Sequence, residues 1–79
     1  MMTKSDRTPS AQPSVLDVVA LLTDRAAEGL ARGQVGTVVE ALNDAKVLVE
    51  FSDDEGRPYA VATCNDSELL VLHYVPEVA

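Results

Sequence analysis

The sequence predicts an all-β fold, a small barrel of about five antiparallel strands. Short segments rich in Val and Leu recur along the chain, and Gly, Asn, Asp or Pro residues separate them. Residues 46–51 alternate, which places Val47, Val49 and Phe51 on one face of a strand. Five short strands in a chain of 79 residues are too few for a flat sandwich, whereas bending and closure protect their edges.

The first predicted strand covers residues 15–22. Its β-branched side chains and short length favour a strand, although a helix continuing through Glu28 and ending at Gly29 is a competing interpretation. The strand is preferred because the segments that follow need a first strand to pair with.

Residues 29–40 contain three glycines whose spacing would interrupt any helix. Gly36 falls inside the predicted second strand, where a glycine marks a bulge, a sharp bend or close contact between backbones. A bulge at Gly36 would let Val35 and Val38 both face the core, which strict alternation forbids.

The remaining elements follow from turn residues and alternation. We expect a turn at Asn43-Asp44, a hairpin loop at residues 52–56 with Gly56 at positive φ, and a strand opened by Pro58. The expected C-terminal elements are a strand to residue 63, a turn at 64–67, a 3₁₀ turn at 67–69, a strand at 70–73 and a trailing end at 74–79.

The chain divides into a tail and one domain. Residues 1–14 are polar and contain two prolines, which predicts a disordered N-terminal tail. Residues 15–79 form the predicted barrel domain, and we expect a monomer or a weak dimer.

The net charge is −7 and is unevenly placed. Residues 1–14 carry +1, so residues 15–79 carry −8. Such a body repels phosphate backbones and anionic membranes and attracts a basic protein surface. The alternative is that the charge only keeps a small protein soluble.

Cys64 is the single cysteine, so an internal disulfide is excluded. A secreted domain of this size usually needs disulfides. No apolar run approaches the about 20 residues of a membrane span, and the N-terminus lacks the apolar region of a signal peptide. These observations predict a cytoplasmic protein.

Catalytic, cofactor and metal sites are not predicted. Cys64 and His73 are the only soft metal ligands, and two ligands cannot close a zinc site. As a catalytic pair they lack an orienting third group. We interpret Cys64 as a small buried hydrophobe and His73 as a residue near a strand end. The acidic run at 53–56 is too short for a calcium loop.

An acidic patch for a basic partner is the one candidate site. The alternative is that Glu50 is merely solvated and lies cross-strand from Arg57 or Tyr59. Recognition of proline-rich peptides is disfavoured because it needs more aromatic side chains than this chain has. The candidate partner-binding residues are Glu50, Asp53, Asp54, Glu55 and Tyr59.

Four segments together resemble a small bacterial family known as domain of unknown function 4926. They are residues 17–22, 29–40, 49–51 and 69–72. The resemblance implies an SH3-like barrel without known activity, cofactor or site residue, and for some members an antitoxin or immunity role. We therefore expect a non-enzymatic, acidic protein-interaction module, of antitoxin, immunity or regulatory type.

A looser similarity relates residues 33–38 to the KOW motif of ribosomal and transcription-elongation proteins. It implies the alternative function, an accessory of RNA or of the transcription or translation machinery. Arg32 is the only basic residue between Arg25 and Lys46, which argues against RNA binding.

Overall fold

The computed structural model describes residues 13–73, which form one five-stranded antiparallel sheet. The strands are β1 Val18–Leu21, β2 Val35–Ala41, β3 Lys46–Ser52, β4 Pro58–Asn65 and β5 Leu69–Val71. Their order across the sheet is β4-β3-β2-β1-β5. Two 3₁₀ turns, Ala26–Glu28 and Asp66–Glu68, complete the described part of the chain. The predicted all-β class and the five antiparallel strands are confirmed.

The buried face of the sheet follows from alternation in β3. Val47, Val49 and Phe51 are each 0% exposed, as their spacing predicts. Phe51 is the largest fully buried side chain in a core that is otherwise aliphatic. The core residues are Val19, Leu21, Leu30, Val38, Val47, Val49, Phe51, Ala62, Cys64 and Leu69.

Gly36 lies where two backbones approach closely, which is one of the three alternatives that the sequence left open, and the bulge alternative does not hold at this position. A Cβ atom at Gly36 would stand 2.7 Å from Cγ1 of Val49 and 2.8 Å from the Glu50 carbonyl oxygen. The register instead shifts between Val38 and Glu40. Alternation is therefore regular up to Val38, which leaves Val35 exposed on the opposite face.

β1 is a strand, so the competing helical interpretation is wrong. Val19 pairs with Gly36 on one side and with Val71 on the other. The strand is shorter than predicted, because Leu16 takes a positive φ of 77° in a turn. The Leu16 N–H still donates to the Val38 carbonyl at 2.7 Å, which anchors this turn to β2.

The connections show where turn residues were assigned correctly. The β2–β3 connection places Asp44 and Ala45 at positive φ, and Gly56 has φ 83° in the β3–β4 loop, as predicted. The turn predicted at 64–67 begins too early. Cys64 and Asn65 continue β4 opposite β3, and the 3₁₀ turn begins one residue earlier than expected.

Most of the predicted tail lies outside the described residues, as does the expected trailing end at 74–79. The last two residues of the predicted tail can be placed. Pro13 is buried, and the Ser14 N–H donates to Oδ2 of Asp17 at 2.8 Å. These two residues therefore pack against the fold rather than extending from it.

The two edge strands, β4 and β5, are connected by a loop that contacts β4 rather than by strand pairing. Within the described chain these two strands do not pair, so the sheet is open where a closed barrel was expected. The β1–β2 connection covers the side between β4 and β5: Leu30 is 3% exposed, and its backbone pairs with that of Arg25 in both directions. The Arg25 guanidinium reaches the Thr63 carbonyl of β4. The likeness to an SH3-like barrel stays a prediction.

Candidate functional site

The sheet has a second face, opposite the core, which we call the outer face. Three large apolar side chains on it are about half exposed: Val35 44%, Val61 52% and Leu70 51%. They belong to β2, β4 and β5, which are not neighbours in the sheet, and Tyr59 is 50% exposed at the end of β4. Exposed large apolar side chains around a charged residue are compatible with an interaction site.

Glu50 lies in the middle of the outer face. It pairs with Thr37 of β2 on one side and with Val61 of β4 on the other, and it is partly buried. The expectation that Arg57 or Tyr59 lies opposite Glu50 is wrong, because the β3–β4 register places Val61 there. The carboxylate thus stands between a threonine and a valine rather than beside a cation in the neighbouring strand.

The three candidate acids of the β3–β4 loop form a cluster with Arg57, which we call the tip cluster. Nη2 of Arg57 lies 2.6 Å from Oε1 of Glu55, and Nε lies 3.4 Å from Oδ2 of Asp53. Asp54 makes no hydrogen bond or ion pair with the described residues. Counting Arg57, the cluster carries a net charge of −2, which is less than the acids alone suggest.

Asp53 organises this loop through its carboxylate. Oδ1 accepts the backbone N–H groups of Arg57 and Glu55, each at 2.9 Å. The hydrogen bond from the Arg57 backbone, followed by that from Glu55, holds the pKa of Asp53 below its ordinary value despite some desolvation. Asp53 therefore shapes the loop, and Asp54 is the acid best placed to meet a partner.

The Tyr59 hydroxyl group accepts a hydrogen bond from Nε2 of Gln34, the residue before β2. Tyr59 is the extra residue where the β3–β4 register shifts, so the structure places Glu50 on the outer face and Tyr59 beside the tip cluster at its rim. No hydrogen bond or ion pair among the described residues joins Glu50 to the tip cluster. That these residues bind a partner stays a prediction.

A second charged cluster, which we call the seam cluster, was missed by the sequence analysis. The Arg25 guanidinium bonds Glu28 at 3.0 Å, Glu68 at 3.3 Å and the Thr63 carbonyl at 3.0 Å. Only 19% of the Arg25 side chain is exposed. Burial lowers the pKa of Arg25, but its bond to Glu28 and the neighbouring negative charges outweigh burial and raise it. The only sequence signal was the spacing of Arg25 and Glu28, three residues apart.

Cys64 belongs to both the core and the seam cluster. It is 0% exposed, which confirms its interpretation as a buried hydrophobe, and its Sγ lies 3.4 Å from Nη1 of Arg25. Burial raises the pKa of the Cys64 thiol, and the Arg25 charge offsets this only in part. His73 is exposed two residues after β5. Residues 13–73 contain no group of three or more His, Cys, Asp or Glu side chains arranged to hold a metal ion.

Within the described chain, no helix has the length and apolar character needed to cross a membrane.

Comparison with known proteins identifies the family. No curated protein matches the chain, and neither does any solved structure. The model of one family, described as "Domain of unknown function (DUF4926)", matches residues 15–71. That match spans all five strands and both charged clusters. The chain therefore belongs to the DUF4926 family.

Proposed function

We propose that this chain is a non-catalytic interaction module that docks its outer face and tip cluster onto a basic surface of another protein. The observation that carries the proposal is the exposed apolar outer face with Glu50 at its centre and a net-negative loop at its rim. An antitoxin, an immunity protein or a regulatory binding protein would each use such a surface.

The apolar part of the outer face supports docking on a protein. Tyr59 and Val61 are each about half exposed on the same strand, and aromatic residues are enriched at protein interfaces. Removing this surface from water on binding is favourable, at roughly 25 cal/mol per Å² of apolar area. The polar tip cluster then provides the rim that stays hydrated.

The charge supports a basic partner. The net charge of −7 steers a basic protein over long distances and repels an acidic one. Glu50 is already partly buried between Thr37 and Val61, so docking over the outer face would desolvate its carboxylate further. A Lys or Arg of the partner opposite Glu50 would compensate for that desolvation.

The alternative, a KOW-like accessory of RNA, gains no support from the arrangement of cations. Arg25 and Arg57 are each bonded to two carboxylates, which compete with phosphate for the guanidinium groups. Phosphate binding depends on cations that displace counterions. We expect no shift in the fluorescence anisotropy of a labelled RNA when the protein is added at about 100 mM salt.

The test begins with capture of partners by the tagged chain at low and moderate salt, followed by titration of the purified partner. Glu50→Gln removes one charge from the outer face, and Asp44→Asn removes one from the β2–β3 turn at the other end of β3. We expect Glu50→Gln to weaken binding about tenfold and Asp44→Asn to change it less than about twofold. Equal effects of both variants, or an affinity independent of salt, would contradict the proposal.

A further inference from the structure

The outward edge of β4 offers unpaired backbone groups. β4 has eight residues and, among residues 13–73, pairs only with β3, whereas the other edge strand, β5, has three. In an antiparallel strand the N–H and C=O groups of one residue point to the same side, and the side alternates along the strand. The Thr63 carbonyl points away from β3, since it accepts a hydrogen bond from Arg25. The backbone groups of Val61 therefore point outward as well, whereas alternation does not extend to Tyr59, the extra residue where the β3–β4 register shifts between Phe51 and Ser52.

This edge is protected at both ends and open between them. Pro58 has no N–H group, and the Arg25 guanidinium covers the Thr63 carbonyl. Between these positions, the outward N–H and C=O groups of Val61 have no backbone partner within the described residues. An exposed row of unpaired donors and acceptors is a template for another strand.

We propose that the edge of β4 between Pro58 and Thr63 accepts an extended segment of a partner protein as a sixth strand, and that this segment carries Lys or Arg at its ends. The inference rests on the proposed function for the basic character of the partner. Strand addition supplies affinity through backbone hydrogen bonds, and the side chains of the added strand supply specificity.

Charge determines which kind of segment fits. The open edge lies between the tip cluster, with net charge −2, and the seam cluster, in which Arg25 faces Glu28 and Glu68 for a net charge of −1. A segment of about five residues spans roughly 17 Å, which suits a basic residue at each end. Its alternate side chains would lie on the outer face beside Val61, where β-branched residues fit. A second copy would bring its own negative clusters to the same edge.

The test uses the isotopically labelled full chain and a defined probe, the end-blocked peptide Lys-Thr-Val-Thr-Val-Thr-Lys. We expect the peptide to slow hydrogen exchange of the Val61 amide at least tenfold. The amides of Ala60 and Ala62 face β3 by the same alternation and serve as the internal control, which should change little.

Two control peptides separate backbone pairing from charge. Methylation of alternate backbone nitrogens removes ladder hydrogen bonds while keeping the charges, and we expect it to weaken binding at least tenfold. A peptide with Glu at both ends should also bind at least tenfold more weakly. On the protein side, Val61→Pro removes only an outward N–H and should abolish binding, whereas Val61→Thr keeps that N–H and should bind. If Val61→Pro fails to fold, the methylated peptides still decide the question.

Three other outcomes would contradict strand addition, the basic partner or both, and each would show which proposal fails. Peptide-induced changes at Val35 and Leu70 without any at the Val61 amide would overturn strand addition and leave docking by the outer face intact. Protection of the Val61 amide in the free chain would show that the edge is already occupied, which also overturns it. Equal binding of the Lys and Glu peptides at the β4 edge would confirm the edge as a strand acceptor and contradict the basic partner in both proposals.

Discussion

Arg25 and Arg57 each bind two carboxylates, but their surroundings differ. Arg25 is 19% exposed, and one of its partners, Glu68, is 43 residues away in the chain. Arg57 is 73% exposed, and both of its acidic partners lie within four residues in the same loop. The guanidinium group of Arg25 therefore joins elements that are distant in sequence, whereas that of Arg57 makes contacts within a single hairpin loop.

The difference shows why counting ion pairs does not indicate what they do. The seam cluster connects the β1–β2 connection, β4 and the second 3₁₀ turn on the side where the sheet is not closed by strand pairing. Its partial burial limits screening by solvent and salt. The tip cluster is exposed and local, so its pairs contribute little to stability and mainly set the surface charge of the loop.

The largest expected effect is that of Arg25→Met, which keeps the apolar stem and removes the guanidinium. Glu28 and Glu68 then lose their cation, and the Thr63 carbonyl loses a donor. We expect the free energy of unfolding to fall by about 2 kcal/mol, measured by urea denaturation. Arg25→Lys keeps the charge without the bidentate geometry and should lose less. A loss below about 0.5 kcal/mol for Arg25→Met would mean that Arg25 and Arg57 contribute equally little to stability.

The thiol of Cys64 gives the seam cluster a pH dependence at alkaline pH. Because burial raises the pKa of Cys64, the folded chain disfavours the thiolate relative to the unfolded chain. The corresponding stability is fully present below the ordinary pKa of a thiol and is lost as pH rises through the folded value. We expect the thermal midpoint between pH 7 and pH 10 to fall more steeply for the natural chain than for Cys64→Ala. Parallel curves would contradict this assignment.

Local patterns were sufficient to predict most of the fold. Alternation in residues 46–51 predicted the buried face of β3, and Gly56 predicted a hairpin loop. The sequence left a bulge, a bend and close backbone contact open at Gly36, because glycines required for these three reasons look the same in sequence. The contact becomes visible only when β3 packs against β2.

The candidate site was predictable in part for the same reason. The tip cluster is local, so the neighbouring acids 53–55 were found, although the pairing of Arg57 with two of them was overlooked. Arg25 and Glu68 are brought together by the fold, and nothing in a single sequence marks them as neighbours. Likewise, the register that places Val61 beside Glu50 depends on how β3 and β4 align.

The variant Asp53→Asn tests how much the charge of Asp53 in the tip cluster contributes to stability. The amide oxygen of Asn can still accept the backbone N–H groups, but the negative charge that strengthens these bonds is lost. Since the pKa of Asp53 is lowered in the folded chain, its contribution is present above the ordinary pKa of Asp and lost as pH falls through the folded value. The thermal midpoints of the natural chain and Asp53→Asn should therefore converge as pH is lowered from 6 to 2. Asp54→Asn leaves these hydrogen bonds intact, so it is the matched control.

Among these variants, Arg57→Met should have the smallest effect on stability. It should strengthen binding of the Lys-ended peptide. Removal of an exposed guanidinium changes the free energy of unfolding by less than about 0.5 kcal/mol. It also makes the tip cluster more negative, from −2 to −3. Affinity for the Lys-ended peptide at low salt should therefore rise about threefold, with the gain disappearing near 0.5 M salt as the Debye length shortens. If Arg57→Met destabilised the chain as much as Arg25→Met, local and long-range ion pairs would carry equal stability and the distinction between the clusters would fail.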